Sequence, residues 1–183
     1  MRIITGKARG VRLETLEGLT TRPTSERTKE AVFSMLQFDI AGKTVLDLFA
    51  GSGQMGLEAL SRGATRAYMI DRSKNAFEII KKNIQKSRLV DGSVALCEDS
   101  LSFLKRHNGE KFDIVFLDPP YATELINDAL SILIQRELLN DGAMLVCESD
   151  RFEILGVENS RKYVIIKTMK HGVAHISVLK LKK

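Results

Sequence analysis

Residues 44–56 read TVLDLFAGSGQMG, and this stretch decides the fold. Its first half, residues 44–49, is almost entirely apolar, as expected for a strand whose sheet is covered on both faces. Its second half contains Gly51-Ser52-Gly53-Gln54-Met55-Gly56, a G-x-G-x-x-G motif that precedes a helix predicted to end near residue 62. A strand, a glycine-rich turn and a helix in this order predict a loop that binds a nucleoside-containing cofactor.

The pattern continues downstream as strands alternating with helices. Further strands are predicted at 66–70, 94–97, 112–117 and 143–148, and helices at 73–87, 101–107 and 123–137. This alternation predicts an α/β, Rossmann-like fold with a mostly parallel sheet and helices on both faces. Two last strands, at 163–167 and 174–179, flank Lys170-His171-Gly172 and predict a C-terminal antiparallel hairpin. The expected sheet therefore has seven strands.

The chain before residue 43 has a different pattern. Residues 2–14 predict two short strands around a loop at 6–10, and Thr24 or Ser25 can cap a helix that runs to about residue 38. We therefore expect a small N-terminal extension, a hairpin and a helix at 1–42, followed by the α/β domain at 43–183.

Composition points to an ordinary globular protein. The chain has 183 residues, 44% of them hydrophobic and 28% charged, which suits one domain with a buried core. No apolar run is long enough to cross a bilayer, and the first residues do not resemble a signal peptide. Cys97 and Cys147 lie in apolar, strand-like runs, so we expect two buried free thiols and a reducing cytoplasm.

The net charge of +5 is unevenly distributed along the chain. Residues 1–29 carry +4, residues 161–183 carry +7 with no acidic residue, and the middle therefore carries −6. Basic ends around an acidic centre are typical of a protein that holds a polyanion such as a nucleic acid. Solubilising charge on edge strands would give the same distribution.

Two aspartates discriminate between cofactor classes. Asp71 ends the second strand, 20 residues after Gly51, where a carboxylate can accept hydrogen bonds from both ribose hydroxyls. Asp47 lies in the first strand, four residues before Gly51, where it would repel a pyrophosphate but would suit a sulfonium and an amino group. This favours S-adenosylmethionine over a dinucleotide. Each aspartate could instead be structural, Asp71 as a solvated loop acid and Asp47 as an acceptor for the loop's own N–H groups.

The fourth strand runs into Asp118-Pro119-Pro120-Tyr121. The prolines hold the backbone extended and leave its carbonyls free to accept hydrogen bonds. The Asp118 carboxylate and the Pro119 carbonyl can together hold both N–H bonds of an exocyclic amine, and Tyr121 offers a flat face for stacking a base. The motif predicts methyl transfer to the amino group of a nucleobase.

These motifs, taken together, resemble the class I methyltransferases that act on amino groups. Three N-terminal segments narrow the resemblance: RIITG at residues 2–6, GVRL at 10–13, and RPT with Arg27 before AVFSML at 31–36. They are similar to the RsmD family, the bacterial 16S rRNA guanine-N2 methyltransferases, and GLEALSRGA at 56–64 also matches. The resemblance covers essentially the whole chain. The Gln54-Met55 pair departs from it, because small or apolar residues are more usual there.

The resemblance implies a specific function and site. It implies transfer of a methyl group from S-adenosylmethionine to the N2 amine of one guanine in 16S rRNA, within a small ribosomal subunit or an assembly intermediate, by a cytoplasmic monomer that needs no metal. The implied catalytic residues are Asp118, Pro119, Pro120 and Tyr121. The implied cofactor-binding residues are Asp47, Gly51, Ser52, Gly53, Asp71, Arg72, Asp99 and Ser100. The RNA-binding residues that we expect are Arg2, Lys7, Arg9, Arg12, Arg22 and Arg27.

Several alternatives stay open on sequence alone. A DNA adenine or cytosine amino-methyltransferase would use the same motif at 118–121, although 183 residues leave no room for a separate target-recognition domain. A non-catalytic RNA-binding assembly factor could keep the cofactor pocket. Asp99 could bind adenine, cap the following helix, or do both. Glu148, at the end of the fifth strand, is expected to form a structural ion pair.

Overall fold

The computed structural model describes residues 1–16, 26–119, 123–172 and 174–182. In these ranges seven strands form one sheet. The strands are β1 Thr44–Asp47, β2 Arg66–Asp71, β3 Ser93–Cys97, β4 Phe112–Leu117, β5 Leu139–Ser149, β6 Tyr163–His171 and β7 Ala174–Leu181. The helices are α1 Glu26–Met35, α2 Gln54–Ser61, α3 Lys74–Ser87, α4 Ser100–Arg106, α5 Thr123–Gln135 and α6 Val157–Lys162.

The strand order is β3-β2-β1-β4-β5-β7-β6. The first five strands of this order are parallel, and β7 pairs antiparallel with both β5 and β6. The predicted α/β fold, a mostly parallel seven-stranded sheet with a C-terminal antiparallel hairpin, is therefore confirmed. The short helix α6 was not expected, and β5 begins before the predicted residue 143.

Side chains alternate along each strand between two apolar clusters, because successive residues of a strand point to opposite faces. Val45 of β1 packs in the cluster with α1, α2 and α3, whereas its neighbour Leu46 packs with α4 and α5. Val115 and Phe116 of β4 divide between the clusters in the same way. Both faces are covered, which explains why these strands read as continuous apolar runs.

The N-terminal residues share the first cluster with the sheet. Ile3, Leu13 and Phe33 are buried among residues of α2 and β4. Residues 1–16 do not form the two short strands that were expected. They form a hairpin with one antiparallel bridge, from Arg2 to Arg12, and the Ile3 N–H donates to the Val11 carbonyl at 2.9 Å. Below, residues 1–14 are called the arm.

The two cysteines differ in environment. Both are free thiols; Cys147 is buried in β5, but Cys97 is exposed. The expectation of a buried Cys97 is wrong, because β3 lies at the edge of the sheet and Cys97 is its last residue. Burial raises the pKa of the Cys147 thiol far above its usual value.

In the described part of the chain, none of the helices combines the length and the apolar character that a membrane span requires.

Candidate active site

A line of acidic side chains follows the carboxyl edge of the sheet. The five parallel strands end at this edge, and each of them ends near at least one carboxylate. In the order β3, β2, β1, β4, β5 these are Asp99, Asp71, Asp47, Asp118 and Glu148. Adjacent strands lie about 4.8 Å apart, so the positions after β3 and β4 are about 14 Å apart along the edge. The strand order thus brings residues that are far apart in sequence to one edge.

The glycine-rich turn is held from two sides. The Gly51 N–H donates to Asp71 Oδ2 at 2.9 Å, and the Asn83 side-chain amide donates to the Ser52 carbonyl at 2.9 Å. Gly53 has a φ of 76°, in the left-handed region that glycine adopts without strain, and α2 starts at the next residue. The turn therefore presents its backbone at the edge of the sheet in one defined conformation.

Asp71 organises its own strand end. Its Oδ1 accepts the Ser73 N–H at 2.8 Å while Oδ2 accepts that of Gly51. Each carboxylate oxygen can accept more than one hydrogen bond, so the side chain keeps capacity for a ligand's hydroxyls. The Asp71 side chain thus couples β2 to the glycine turn, a structural role that is compatible with ribose binding.

Asp47 is a buried carboxylate beside the turn. It is 4% exposed, and its Oδ2 accepts the Gly56 N–H at 3.1 Å. Burial raises its pKa from 3.8 to about 7, the hydrogen bond from Gly56 opposes that rise, and the charges of Asp118 and Asp71 add to it. Asp47 therefore has the structural role that the sequence left open, because it accepts a hydrogen bond from an N–H group beside the glycine turn. A cation placed here would favour the charged carboxylate.

Asp99 and Ser100 position the start of α4. Asp99 is the N-cap of this helix, with its Oδ1 accepting the Ser102 N–H at 2.9 Å, and this hydrogen bond lowers the pKa of Asp99. The cap that the sequence suggested is thus observed, and the exposed Asp99 side chain keeps capacity to accept from a ligand. The buried Ser100 hydroxyl donates to the Leu48 carbonyl at 2.7 Å. Arg72 is exposed.

A cleft opens between β1, β4 and β5. Its polar lining consists of Asp47, Gln54, Asp118 and Glu148. Its apolar lining is Val32, Phe49, Ala50, Met55, Phe116, Leu117, Val146 and Ile176. Asp118 is exposed and Pro119 is buried, whereas Pro120 and Tyr121 lie outside the described residues. Three acids and one amide in an otherwise apolar cleft form a site rich in hydrogen-bond acceptors, suited to a ligand that carries N–H groups or a positive charge.

The basic residues of the arm lie elsewhere. Arg2, Lys7, Arg9 and Arg12 are exposed, as is Arg27 of α1, and Arg22 lies outside the described residues. The Lys7 N–H donates to the carbonyl of Ser61, the last residue of α2. Because α2 starts at the carboxyl edge, its end and Lys7 lie toward the opposite edge. Among the described residues, the structure therefore groups the predicted cofactor residues with Asp118 and Pro119 and places Lys7 away from them.

The arm forms one wall of a basic groove. Lys7 and Arg9 line it from the arm, and Lys86 and Arg88 line it from the end of α3. Helix α3 has 14 residues and starts just after β2, so the groove lies at the far end of this helix, about one turn beyond Asn83, whose amide donates to the Ser52 carbonyl. Lys86 and Arg88 were not among the residues that the sequence singled out, since only the fold places them beside the arm.

A buried ion pair fixes the arm to α2. The side chains of Lys29 and Glu58 are both 0% exposed, with Nζ and Oε2 at 3.1 Å. Glu58 also accepts the N–H groups of Ile4 at 2.8 Å and Thr5 at 3.0 Å, and the Arg62 Nε at 2.8 Å. Sequence reasoning missed this cluster. A Glu on the apolar stripe of a predicted helix was its one available signal.

Among the described residues, no group of three or more His, Cys, Asp or Glu side chains is arranged to hold a metal ion.

Comparisons with known proteins give a consistent result. A family model described as Conserved hypothetical protein 95 matches residues 1–180. Ribosomal RNA small subunit methyltransferase D of Haemophilus influenzae is 37% identical over 153 residues, 82% of this chain and 79% of that protein. YlbH of Bacillus subtilis, named as an rRNA methyltransferase, is 33% identical over 184 residues and covers 98% of both chains. The solved structure of yhhF from Escherichia coli, named as a methyltransferase, has a TM-score of 0.86 at 30% identity, covering 100% of this chain and 98% of that one.

Proposed function

The chain belongs to the conserved hypothetical protein 95 family, the RsmD family, and from that premise we propose that it methylates 16S rRNA. The donor is S-adenosylmethionine, and the acceptor is the exocyclic N2 amine of one guanine. The observation that carries the proposal is the cleft in which Asp118, the residue after β4, lies with Asp47 and Gln54 of the cofactor turn. We place the protein in the cytoplasm, acting on a small subunit or on an assembly intermediate.

The carboxyl edge fits the proposed cofactor. Asp99, Asp71 and Asp47 follow adjacent strands, so an extended nucleoside can meet them in turn with its adenine amino group, its ribose hydroxyls and its methionine end. All three side chains are acceptors when ionised, and each of these ligand groups is a donor. The turn Gly51-Ser52-Gly53 would hold the ribose and the methionine end, and Arg72 and Ser100 are further proposed cofactor-binding residues of the same edge.

When bound, S-adenosylmethionine would supply an electrophilic methyl group on its sulfonium and would leave as S-adenosylhomocysteine. Asp118 and the Pro119 carbonyl hold the two N–H bonds of the target amine, which favours a pyramidal nitrogen with its lone pair directed at the methyl carbon. The released proton passes to Asp118 or to water. From the sequence we expect Tyr121 to stack the extruded base, with Pro120 as the other residue of this segment that lies outside the described residues. Catalysis is then mainly alignment of two reactants.

The test combines activity with cofactor binding. Asp118→Asn should reduce methyl transfer to small subunits at least a hundredfold, because the amide keeps the shape but cannot accept on both atoms. Affinity for S-adenosylhomocysteine should stay within about twofold. Asp128→Asn, an exposed Asp on α5, is the matched control and should behave as the parent. Parental activity in Asp118→Asn would contradict the proposed role.

Two further assays separate the alternatives. In the first assay, the protein and labelled cofactor are incubated with small subunits, with protein-free 16S rRNA or with DNA. We expect labelled product with the ribosomal substrates and none with DNA. Labelled DNA would identify a DNA methyltransferase. Mass spectrometry of rRNA from a deletion strain should show loss of one N2-methylguanosine. An unchanged modification pattern would favour the hypothesis that the protein is a non-catalytic assembly factor.

The basic surface provides the means to hold the RNA backbone. Lys7 and Arg9 line the groove with Lys86 and Arg88, and Arg2 and Arg12 of the arm and Arg27 of α1 are also exposed. We propose that these cations, together with Arg22, contact phosphates at a distance from the target base.

A further inference from the structure

Gln54 carries a buried acceptor with no partner. Among the described residues three buried side-chain polar atoms lack a hydrogen bond: Gln54 Oε1, His175 Nδ1 and Ser177 Oγ. The latter two belong to β7 and do not line the cleft, whereas Gln54 does, and it is 8% exposed. An unpaired buried acceptor is unfavourable, so its presence at the mouth of the cofactor turn calls for a ligand group.

The backbone fixes where this side chain can go. Gln54 is the first residue of α2 and follows the left-handed Gly53. A Cβ at Gly56 would come within 2.6 Å of Met69 Cγ, so the helix packs closely on β2, and the Gly56 N–H is bonded to Asp47. The helix therefore holds the backbone of Gln54 beside the cleft that its side chain lines.

The strand order shows which part of the cofactor reaches Gln54. This step rests on the proposed function. With adenine at Asp99 after β3 and ribose at Asp71 of β2, the next strand along the edge is β1, so the methionine end lies at Asp47 and Gln54. That end carries an ammonium group, which has three N–H donors and no acceptor. An amide oxygen next to a carboxylate is chemically matched to it.

We propose that the amide oxygen of Gln54 accepts a hydrogen bond from the α-ammonium group of S-adenosylmethionine and so positions the methionine end of the cofactor. Asp47 supplies the opposite charge and Gln54 supplies the second, neutral acceptor. The amine of the target guanine is a competing donor, held by Asp118 on the other side of the cleft; the experiment below separates the two ligands.

The experiment measures binding of two ligands that differ at one end. S-adenosylhomocysteine has the ammonium group, and 5′-methylthioadenosine keeps the adenosine and sulfur but lacks the amino-acid end. Calorimetry on the parent and on Gln54→Met should show about tenfold weaker binding of S-adenosylhomocysteine to the variant, equivalent to about 1.4 kcal/mol. Affinity for 5′-methylthioadenosine should be unchanged. Gln85→Met makes the same change at an exposed position of α3 and should match the parent.

Thermal unfolding without ligand distinguishes a ligand contact from a structural role. Met has the length of Gln and no acceptor, so Gln54→Met should unfold at the parental temperature or above it. If Gln54→Met bound both ligands equally more weakly, or bound S-adenosylhomocysteine as the parent does, the assignment to the ammonium group would be overturned. Parental binding of S-adenosylhomocysteine together with a raised KM for rRNA would assign Gln54 to the target base. If the parent bound neither ligand, the proposed function itself would fail and the Gln54 proposal with it.

Discussion

The two halves of helix α2 differ in whether their buried polar side chains have hydrogen-bond partners. Near its C-terminal end, Glu58 is fully buried and accepts from two backbone N–H groups of the arm, from Arg62, and from the buried Lys29. At its first residue, Gln54 leaves an oxygen without a partner, beside an Asp47 whose burial raises its pKa to about 7. One helix therefore carries a satisfied polar cluster and an unsatisfied one.

The difference teaches how to distinguish scaffold from site. A buried charge that has all its partners stabilises one arrangement of the chain, here the arm against the end of α2. A buried acceptor without a partner is tolerated where a ligand completes it. Mutations in the cluster around Glu58 should lower the free energy of unfolding, whereas mutations at Gln54 and Asp47 should change ligand binding. The predictions below break one side of this contrast at a time.

The largest expected effect comes from Glu58→Ala. It leaves Lys29 as a buried cation without its partner and leaves two backbone N–H groups of the arm without acceptors. Loss of one member of a buried pair typically costs about 3–5 kcal/mol. We expect the free energy of unfolding, measured by chemical denaturation, to fall by about that amount.

Glu78→Ala is the control for this change. Glu78 lies on α3 and forms an exposed ion pair with Lys81. Such pairs contribute about 0–1 kcal/mol, so the control should remain close to the parent. If both variants lost the same stability, Glu58 would not anchor the arm.

The second prediction concerns Asp47→Asn and pH. The folded-state pKa of about 7 lies above the value of 3.8 for an ordinary Asp, so between these values the folded protein binds a proton that the unfolded chain lacks. Stability of the ligand-free parent should therefore decrease as pH rises from about 4 to 7. Asn keeps an acceptor for Gly56 but does not titrate. Relative to the parent, the variant should gain about 4 kcal/mol at pH 8 and almost nothing at pH 4.

Denaturation of both proteins at pH 4, 6 and 8 checks this prediction. The same variant should bind S-adenosylhomocysteine more weakly at pH 8, because the negative charge opposite the ammonium group is gone. Parallel stability curves for the two proteins would mean that Asp47 keeps an ordinary pKa despite its burial.

Much of the fold follows from local patterns, and much of the satisfied cluster does not. The apolar strand, the glycine turn and the alternation of strands and helices depend on residues that are neighbours in sequence. The structure confirms them, with the strand predicted over 44–49 ending earlier, at Asp47. The bonds from Ile4 and Thr5 to Glu58 join residues more than 50 positions apart. No sequence period encodes such contacts, and the same holds for the groove between the arm and α3.

In the candidate site, too, the features set by local sequence could be predicted, and those set by tertiary packing could not. Motifs placed Asp47, Asp71 and Asp118 at strand ends, and parallel strands bring such ends together. The missing partner of Gln54 Oε1 could not be foreseen, because it depends on how closely α2 packs on the sheet. The exposure of Cys97 also depends on strand order, which puts β3 at the edge.

The third prediction tests the residue that joins the two regions. Asn83 of α3 is fully buried, accepts the Glu14 N–H at 2.8 Å, and donates to the carbonyls of Glu14 and Ser52 at 3.0 and 2.9 Å. It connects the arm to the cofactor turn. Asn83→Ala removes these bonds and leaves their partners unpaired, so we expect a loss of about 1–3 kcal/mol in unfolding free energy.

Because the Ser52 carbonyl loses a restraint, this variant should also bind S-adenosylhomocysteine several-fold more weakly. Asn75→Ala, at an exposed position of the same helix, should change neither quantity. Reduced stability with parental binding would show that the arm and the turn are independent.

The smallest effect on stability, and a separate effect on binding, is expected from the exposed cations of the arm. Lys7 and Arg9 line the basic groove and are exposed, so the double change to Ala should alter the unfolding free energy by less than about 1 kcal/mol. If both contact phosphate, each contributes about 0.7 to the slope of log K against log salt, as for single strands. Binding of small subunits across a salt series should then lose about 1.4 from that slope. Replacement of the exposed Lys105 and Lys111 by Ala removes the same charge outside the groove and should leave the slope as in the parent. The arm would thus be held by buried, satisfied charges on one side and would hold RNA with exposed ones on the other; equal slopes for all three proteins would refute the second half of that statement while leaving the first intact.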